Sequence, residues 1–273
     1  MRVLCRVLGV SRSGYYAWAG RAESARVRED RRLRLTIIEA HRRSRGTYGA
    51  PRIFAELREL EVRTSRKRVA RLMREAEIRG LHRPRRRRSR PDPSSRSIPD
   101  LVRRRFRPAR PDRIWAADIT ELPTAQGTVY LAVVMDLCSR MIVGWSLARH
   151  VRAELVIEAL EMATGRRQPG PGLVHHSDRG PQYTSLVFGQ ALERARIARS
   201  MGRVGTPADN AVVESFFDTL KLELFFDRSL PGLDQARSTL FEWIEIFYNR
   251  QRRHTTLGDI SPFEFERRLT LTG

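Results

Sequence analysis

Between residues 79 and 110 the chain reads RGLHRPRRRRSRPDPSSRSIPDLVRRRFRPAR, a stretch of arginine, proline and serine without apolar periodicity. Such a stretch buries too little surface to offset chain entropy, so it predicts a linker or arm that is poorly ordered without a partner. The chain must then fold as two bodies, residues 1–80 and 111–273, joined by a basic linker over 81–110. A length of 273 residues agrees, at about 150 residues per domain. The charge is divided the same way. Residues 1–110 carry 33 basic and 11 acidic side chains, net +22, whereas residues 111–273 carry 19 and 20, net −1. A one-sided positive field points to a polyanion, and nucleic acid is the commonest large one. Six linker arginines on phosphates would give a slope of log K against log salt of about −5.

Several classes are excluded early. A 41% hydrophobic chain with 11 Phe and 4 Trp can build a sizeable core. No apolar run reaches the ~18 residues that would span a membrane. The start, MRVLCRVLGV, is interrupted by Arg6 and has no cleavable leader pattern, so a cytoplasmic protein is expected. Cys5 and Cys138 form neither a CxxC pair nor a disulfide framework.

In the N-terminal body, residues 1–18 suit two short helices about a turn at Gly9, the second capped by Ser11 or Ser13. Residues 29–45 read as an amphipathic helix with Leu33, Leu35, Ile37, Ile38 and Ala40 among arginines. Gly49 and Pro51 break the chain before a helix over 51–60. Thr64-Ser65 then cap another over 65–78, with Val69, Leu72 and Met73 inward and Arg66, Lys67, Arg68, Arg71 and Arg74 outward. Two short helices, the second densely basic, predict a helix-turn-helix DNA reader.

From residue 113 the pattern changes. RIWAADITEL, TVYLAVVMDL and RMIVGWSL predict three successive strands, the last two joined by a tight turn at Cys138-Ser139. Helix ELVIEALEMATG, strand GLVHHSD, helix SLVFGQALERARI and a strand over 197–201 follow. Helices over 209–225, over 233–250 and from Ser261 complete the chain. This order describes a mixed α/β sheet with helices on both faces.

A near-neutral domain that handles phosphates needs a divalent metal as its electrophile, so its carboxylates carry the interest. Alternation on WAADIT puts Trp115, Ala117 and Ile119 on one face and Ala116, Asp118 and Thr120 on the other. A carboxylate in so apolar a strand is costly to bury unless paired or metal-bound. Asp178 follows a short strand and precedes Gly180-Pro181, where its side chain can face a cleft. Glu214 shares the flank of the 209–225 helix with Asp218 and Lys221, beside a stripe of Val213, Phe216 or Phe217, Leu220 and Leu224. Asp136, Asp209 and Asp218 are competing carboxylates of the same kind. Convergent carboxylates can hold two Mg²⁺ or Mn²⁺ ions for in-line attack on phosphorus. Adjacent His175 and His176 read as a strand end, not a zinc site. Composition and spacing leave two readings open, a metal-dependent nucleic-acid enzyme and a DNA-binding protein.

The combined motifs add a resemblance. WAADIT, HSDRGPQYTS at 176–185 and SMGRVGTPADNAVVESFFDTLKLEL at 200–224 resemble the catalytic core of bacterial insertion-sequence transposases. The group is the insertion sequence 3 family, whose second reading frame encodes a retroviral-integrase-like domain. The 35 residues between Asp178 and Glu214 match the spacing of that group's two-aspartate, one-glutamate triad. YNRQRRHTTLGDISPFEFE at 248–266 resembles its C-terminal ending, and TYGAPRIFAEL with SRKRVARLMREAEIRGL its helix-turn-helix region.

The resemblance implies a ribonuclease H-like fold for residues 111–273, preceded by an all-α helix-turn-helix region. It implies a transposase that cleaves the element's ends with Mg²⁺ (or Mn²⁺), two ions in all. The freed 3′-hydroxyl then attacks another phosphodiester, with no covalent protein–DNA intermediate. Asp118, Asp178 and Glu214 would be catalytic and ligate metal. Lys221 would meet a DNA phosphate, Gln182 and Tyr183 would contact DNA beside Asp178, and Gly180 either positions substrate or merely forms the turn. Arg66, Lys67, Arg68 and Arg71 would bind the duplex through the helix-turn-helix. Expected partners are double-stranded DNA, as terminal repeats and target, and further copies of the chain, since two ends must be brought together. Two departures stand out. Gly202 replaces a serine frequent in relatives, in a segment expected to be a mobile loop. The chain also begins without the upstream-frame helix-turn-helix and coiled coil, which suggests fusion to an upstream product.

Overall fold

The computed structural model describes residues 1–81, 98–102, 108–202, 211–225 and 230–272. They form two compact units, Met1–Gly80 and Leu81–Gly273. Among the described residues no helix is long and apolar enough to cross a membrane.

The first unit is all helical: α1 (Arg2–Val7), α2 (Arg12–Ala19), α3 (Ala25–Arg43), α4 (Ala50–Glu59) and α5 (Arg66–Glu75). Helix α2 is capped by Ser11, which accepts from the Gly14 N–H, and α5 by Ser65, which accepts from the Arg68 N–H. Helix α3 begins earlier than its apolar residues predict, because Ser24 caps it. Leu33, Ile37 and Ala40 of α3 meet Ile53 and Leu57 of α4 and Val69, Leu72 and Met73 of α5 in one core that also holds Tyr48. The outward basic face of α5 is less free than its sequence predicts. Arg68 Nε and Arg71 Nη2 both donate to Asp30 of α3, each at 2.7 Å, and Arg68 Nη2 donates to Glu29 at 3.0 Å. Those two guanidiniums clamp α5 to α3 and hold the Asp30 carboxyl below its ordinary pKa through hydrogen bonds from Arg71 and then Arg68. Arg66 and Lys67 remain exposed on the first turn of α5.

The second unit is built on a five-stranded sheet of order β3-β2-β1-β4-β5. Its strands are β1 (Ile114–Thr124), β2 (Gly127–Asp136), β3 (Ile142–Ala148), β4 (Val174–Ser177) and β5 (Ala198–Met201). Strands β1 to β3 are antiparallel, whereas β4 and β5 run parallel to β1, the ribonuclease H-like arrangement. Helices α6 (Ala153–Arg167) and α8 (Leu186–Arg194) pack on the face that carries Trp115, Ala117, Ala132 and Val134. The other face carries Ala116, Leu131, Val133 and Met135 and is covered by α9 (Ala211–Phe225) and α10 (Leu233–Phe241). A four-residue helix, α7 (Pro181–Thr184), precedes α8, and α11 (Pro262–Thr272) ends the described chain.

The helix expected over 233–250 is α10 continued by a π-helical stretch, Glu242–Tyr248. The wider turn puts Trp243, Ile244, Phe247 and Tyr248 all into the core. Two expectations need correction. Part of the predicted linker is fixed to the sheet: the Leu101 N–H donates to Ser200 Oγ at 2.9 Å, Pro99 O accepts from the Met201 N–H at 3.2 Å, and Val102 is buried. Edge strand β5 offers unpaired backbone groups, and this segment takes them up. Residues 82–97 and 103–107 lie outside the described residues. Gly202 itself is held rather than loose: it is buried, and its N–H donates to Ser177 O at 3.0 Å, while residues 203–210 lie outside the described residues.

Candidate active site

The register of the sheet brings the first two predicted carboxylates together. Ala116 of β1 lies beside His176 of parallel β4. Asp118 and Asp178 each stand two residues further on, Asp118 midway along β1 and Asp178 just past the end of β4, so both lie on the side of the sheet that holds Ala116. Helix α9 packs on that face and carries Glu214. At roughly 100° per residue, Glu214, Asp218 and Lys221 share one side of α9, away from buried Val213, Phe216, Phe217 and Leu220.

Electrostatics confirm the neighbourhood. Burial and then the Asp178 charge raise the pKa of Asp118 from 3.8 to about 7, with Glu214 adding and the Ile119 N–H and Lys221 opposing. The Ile119 N–H donates to Asp118 Oδ1 at 2.8 Å, and the Gly180 N–H donates to Asp178 Oδ1 at 3.0 Å. That second bond makes Gly180 the turn that holds Asp178. Among the described residues no three His, Cys, Asp or Glu side chains are drawn close enough together to hold a metal ion. The three carboxylates are thus neighbours rather than a finished cage. Their chemistry nevertheless fits a hard divalent cation: three oxygen donors share one neighbourhood, and Asp118 is held above the ordinary carboxylate range first by burial and then by the Asp178 charge.

The other predicted residues divide. Gln182 is held by its side-chain amide, which donates to Val151 O at 2.7 Å. Tyr183 does not face solvent. It is 2% exposed, with its ring against His175 and Phe188, so a direct DNA contact is ruled out. Burial and the charges of Asp118 and Asp178 push its hydroxyl well above its ordinary pKa, and that hydroxyl has no hydrogen-bond partner among the described residues. Of the competing carboxylates, Asp136 is structural. It is fully buried and accepts from the N–H groups of Asp112, Cys138 and Ser139 and from Ser139 Oγ, which shapes the β2–β3 turn. Asp209 lies outside the described residues.

One anchor had no signal in the sequence. Arg179, next to Asp178, donates from Nε to Gly202 O and from Nη2 to Ile98 O, both at 3.0 Å. It ties the loop of the second carboxylate to β5 and to the segment along its edge.

His175 and His176 point to opposite faces of β4. His176 Nδ1 meets Ser200 Oγ at 2.9 Å, whereas His175 is buried against the Phe188 ring at 5.2 Å. Burial, with the charges of His176 and Arg199, lowers the His175 pKa from 6.5 to about 3. The folded chain therefore refuses a proton that the unfolded chain accepts below pH 6.5. This share of stability is complete above that pH and is lost as pH falls toward 3. Urea melts should show about 2 kcal/mol lost to this group at pH 5, and His175→Phe should flatten the acid limb by that amount. An unchanged limb in the variant would rule the effect out.

Comparison with known proteins follows the same outline. The sequence matches the integrase core domain family over residues 108–207 and 195–262, and an HTH-like domain family over 28–88. It is 41% identical, over 96% of this chain and 97% of the relative, to the insertion element IS600 uncharacterized 31 kDa protein of Shigella sonnei. It is 38% identical, over 97% of this chain and 93% of the relative, to transposase InsF for insertion sequence IS3A of Escherichia coli strain K12. The HTLV-2 integrase catalytic core domain in complex with magnesium (trimeric form) is 18% identical, with a TM-score of 0.44 over 59% of this chain and 99% of that one.

Proposed function

The chain belongs to the insertion sequence 3 family of transposases, and on that premise we propose that Asp118, Asp178 and Glu214 hold the divalent ions its chemistry needs. The observation that carries this reading is that Asp178, just past β4, and Glu214 of α9 both act on the buried carboxyl of Asp118 in β1. Bound there, two Mg²⁺ or Mn²⁺ ions would activate the attacking oxygen and stabilise the leaving 3′-oxygen. The protein's own residues prepare the ground. The β1–β4 register fixes the spacing of two ligands, Gly180 orients Asp178, and α9 brings the third. Lys221, on the Glu214 side of α9, meets a phosphate of the substrate strand. In each step an oxygen bonds to phosphorus as the phosphorus–O3′ bond breaks, first with water and then with the freed 3′-hydroxyl. The chain acts in the bacterial cytoplasm, at the nucleoid while DNA-bound. It works as a multimer, because joining requires two ends at once.

Metal dependence tests this reading. A labelled duplex that carries the repeats flanking the gene should be cleaved at its 3′ ends in Mg²⁺ or Mn²⁺ and left intact in chelator. Cleavage in chelator would refute the metal role.

For the helix-turn-helix region, the exposed pair Arg66 and Lys67 supports backbone binding, whereas Arg68 and Arg71 serve the clamp on Asp30. Replacing Arg66 and Lys67 together by Ala should weaken duplex binding for all sequences alike. Between roughly 50 and 200 mM salt it should reduce the slope of log K by about 2. Arg71→Ala should instead lower the melting temperature. An unaltered slope in the Arg66/Lys67 double variant, read by fluorescence anisotropy, would remove this pair from the interface.

A further inference from the structure

Most of the motif YNRQRRH at 248–254 is buried, and its side chains form a clasp around α9. Asn249 accepts from the Ile142 N–H at 2.9 Å and donates to Ile142 O at 3.0 Å, which fixes the segment to β3. Tyr248 packs edge-on against Phe216 of α9 at 4.8 Å, and His254 against Tyr248 at the same distance. Arg252 reaches Glu223 of α9 with its fork, from Nη2 to Oε1 at 2.9 Å and from Nε to Oε1 and Oε2 at 3.0 and 3.3 Å. Both side chains are withdrawn from water, at 7% and 4% exposure.

Position on the helix gives this pair its meaning. Glu223 lies nine residues after Glu214, about two and a half turns, so the two project from opposite sides of α9. The stripe between them is Val213, Phe216, Phe217 and Leu220, and apolar packing is non-directional. Such a stripe holds the helix on the sheet but tolerates small rolls about its axis and slides along it. A two-point guanidinium–carboxylate fork is directional and fixes both.

We propose that Arg252 is a positioning residue for Glu214: its buried fork on Glu223 sets the roll and register of α9 and so aims the third carboxylate at Asp118. The inference rests on the reading of Glu214 as a metal ligand. It assigns the C-terminal motif a part in the chemistry through Glu223, on the side of α9 opposite Glu214.

The test separates positioning from stability. Replacing a buried ion pair by apolar residues of similar volume is often neutral for folding, so the full chain with Glu223→Leu and Arg252→Met should keep its helices and melt near wild type. Mn²⁺ binding, read by electron paramagnetic resonance without DNA, should nevertheless weaken by about tenfold, and the Mg²⁺ concentration for half-maximal cleavage should rise in parallel. Arg252→Lys keeps the charge but not the fork and should fall between. If the double variant fails to fold, Arg252→Lys decides alone. A folded variant of either kind with wild-type Mn²⁺ affinity and cleavage overturns the proposal. Glu214→Gln is run beside them. If it cleaves like wild type, the triad reading itself falls. If it is silent while the pair variants behave as wild type, only the positioning role falls.

Discussion

Glu214→Gln should abolish cleavage and joining while leaving duplex binding intact. The change removes one anionic donor from an exposed position on α9 and keeps the size of the side chain. Folding should therefore be unaffected, and the binding surface proposed on α5 lies in the other unit. A ligand lost from a site whose chemistry depends on a bound ion costs several kcal/mol of transition-state stabilisation. That converts to a rate loss of about 10³-fold or more. The same loss is expected for Asp118→Asn and Asp178→Asn. Asp218→Asn, one turn along the same helix face, is the control, since Asp218 exerts none of the main influences on Asp118. It should retain cleavage within a few-fold of wild type. A Glu214→Gln protein that cleaves normally, or an Asp218→Asn protein that is dead, would move the third ligand elsewhere on α9.

The second large effect concerns the scaffold. Gly144 of β3 lies under α6 so closely that an added Cβ would come within 2.1 Å of Ala159 O and 2.8 Å of Ala163 Cβ. The first of these is backbone in the middle of a 15-residue helix, which cannot yield without displacing α6 from the sheet. Gly144→Ala should cost about 3 kcal/mol, the upper end for an overpacked core. In a unit of this size that lowers the melting temperature by roughly 6–12 °C. Gly165, near the end of the same helix, has open space where its Cβ would go. Gly165→Ala should be neutral or stabilise by about 0.5 kcal/mol. Calorimetry on the two variants makes the comparison. Equal melting temperatures would mean that α6 does not approach β3 this closely.

How much of this was legible in the sequence follows from what kind of signal each feature leaves. The alternation in WAADIT placed Asp118 opposite Trp115 and Ala117, and the sheet has it so, because period-2 alternation survives whatever packs on the strand. The shared side of Glu214 and Lys221 was readable for the same local reason, whereas the 35-residue interval gained meaning only from the family resemblance. What the sequence concealed depends on partners distant in the chain. Arg68 and Arg71 read as solvent-facing charge until α3 brings Asp30 against them. Tyr183 stands in a polar turn, and a four-residue helix has too little periodicity to show that its ring turns inward. Residues 98–102 share the composition of a linker, and only the bare edge of β5 explains why Pro99 and Leu101 dock there. The stretch EWIEIFY reads as ordinary helix, because a pattern of 3.6 cannot report the wider π turn that buries Trp243 and Tyr248 together. Arg252 and Glu223 are 29 residues apart, and neither carries a local sign of the other.

Strand transfer tests the central claim most directly. The full chain, a labelled duplex with the repeats that flank the gene, Mg²⁺ and an unlabelled supercoiled target are incubated together, and the label is followed into the target. The three carboxylates on β1, after β4 and on α9 predict labelled 3′ ends joined covalently to target DNA, with the joined product absent from Glu214→Gln. Ends hydrolysed but never joined would make the protein a nuclease on the same fold. Binding without any chemistry in Mg²⁺ would contradict the assignment of the site.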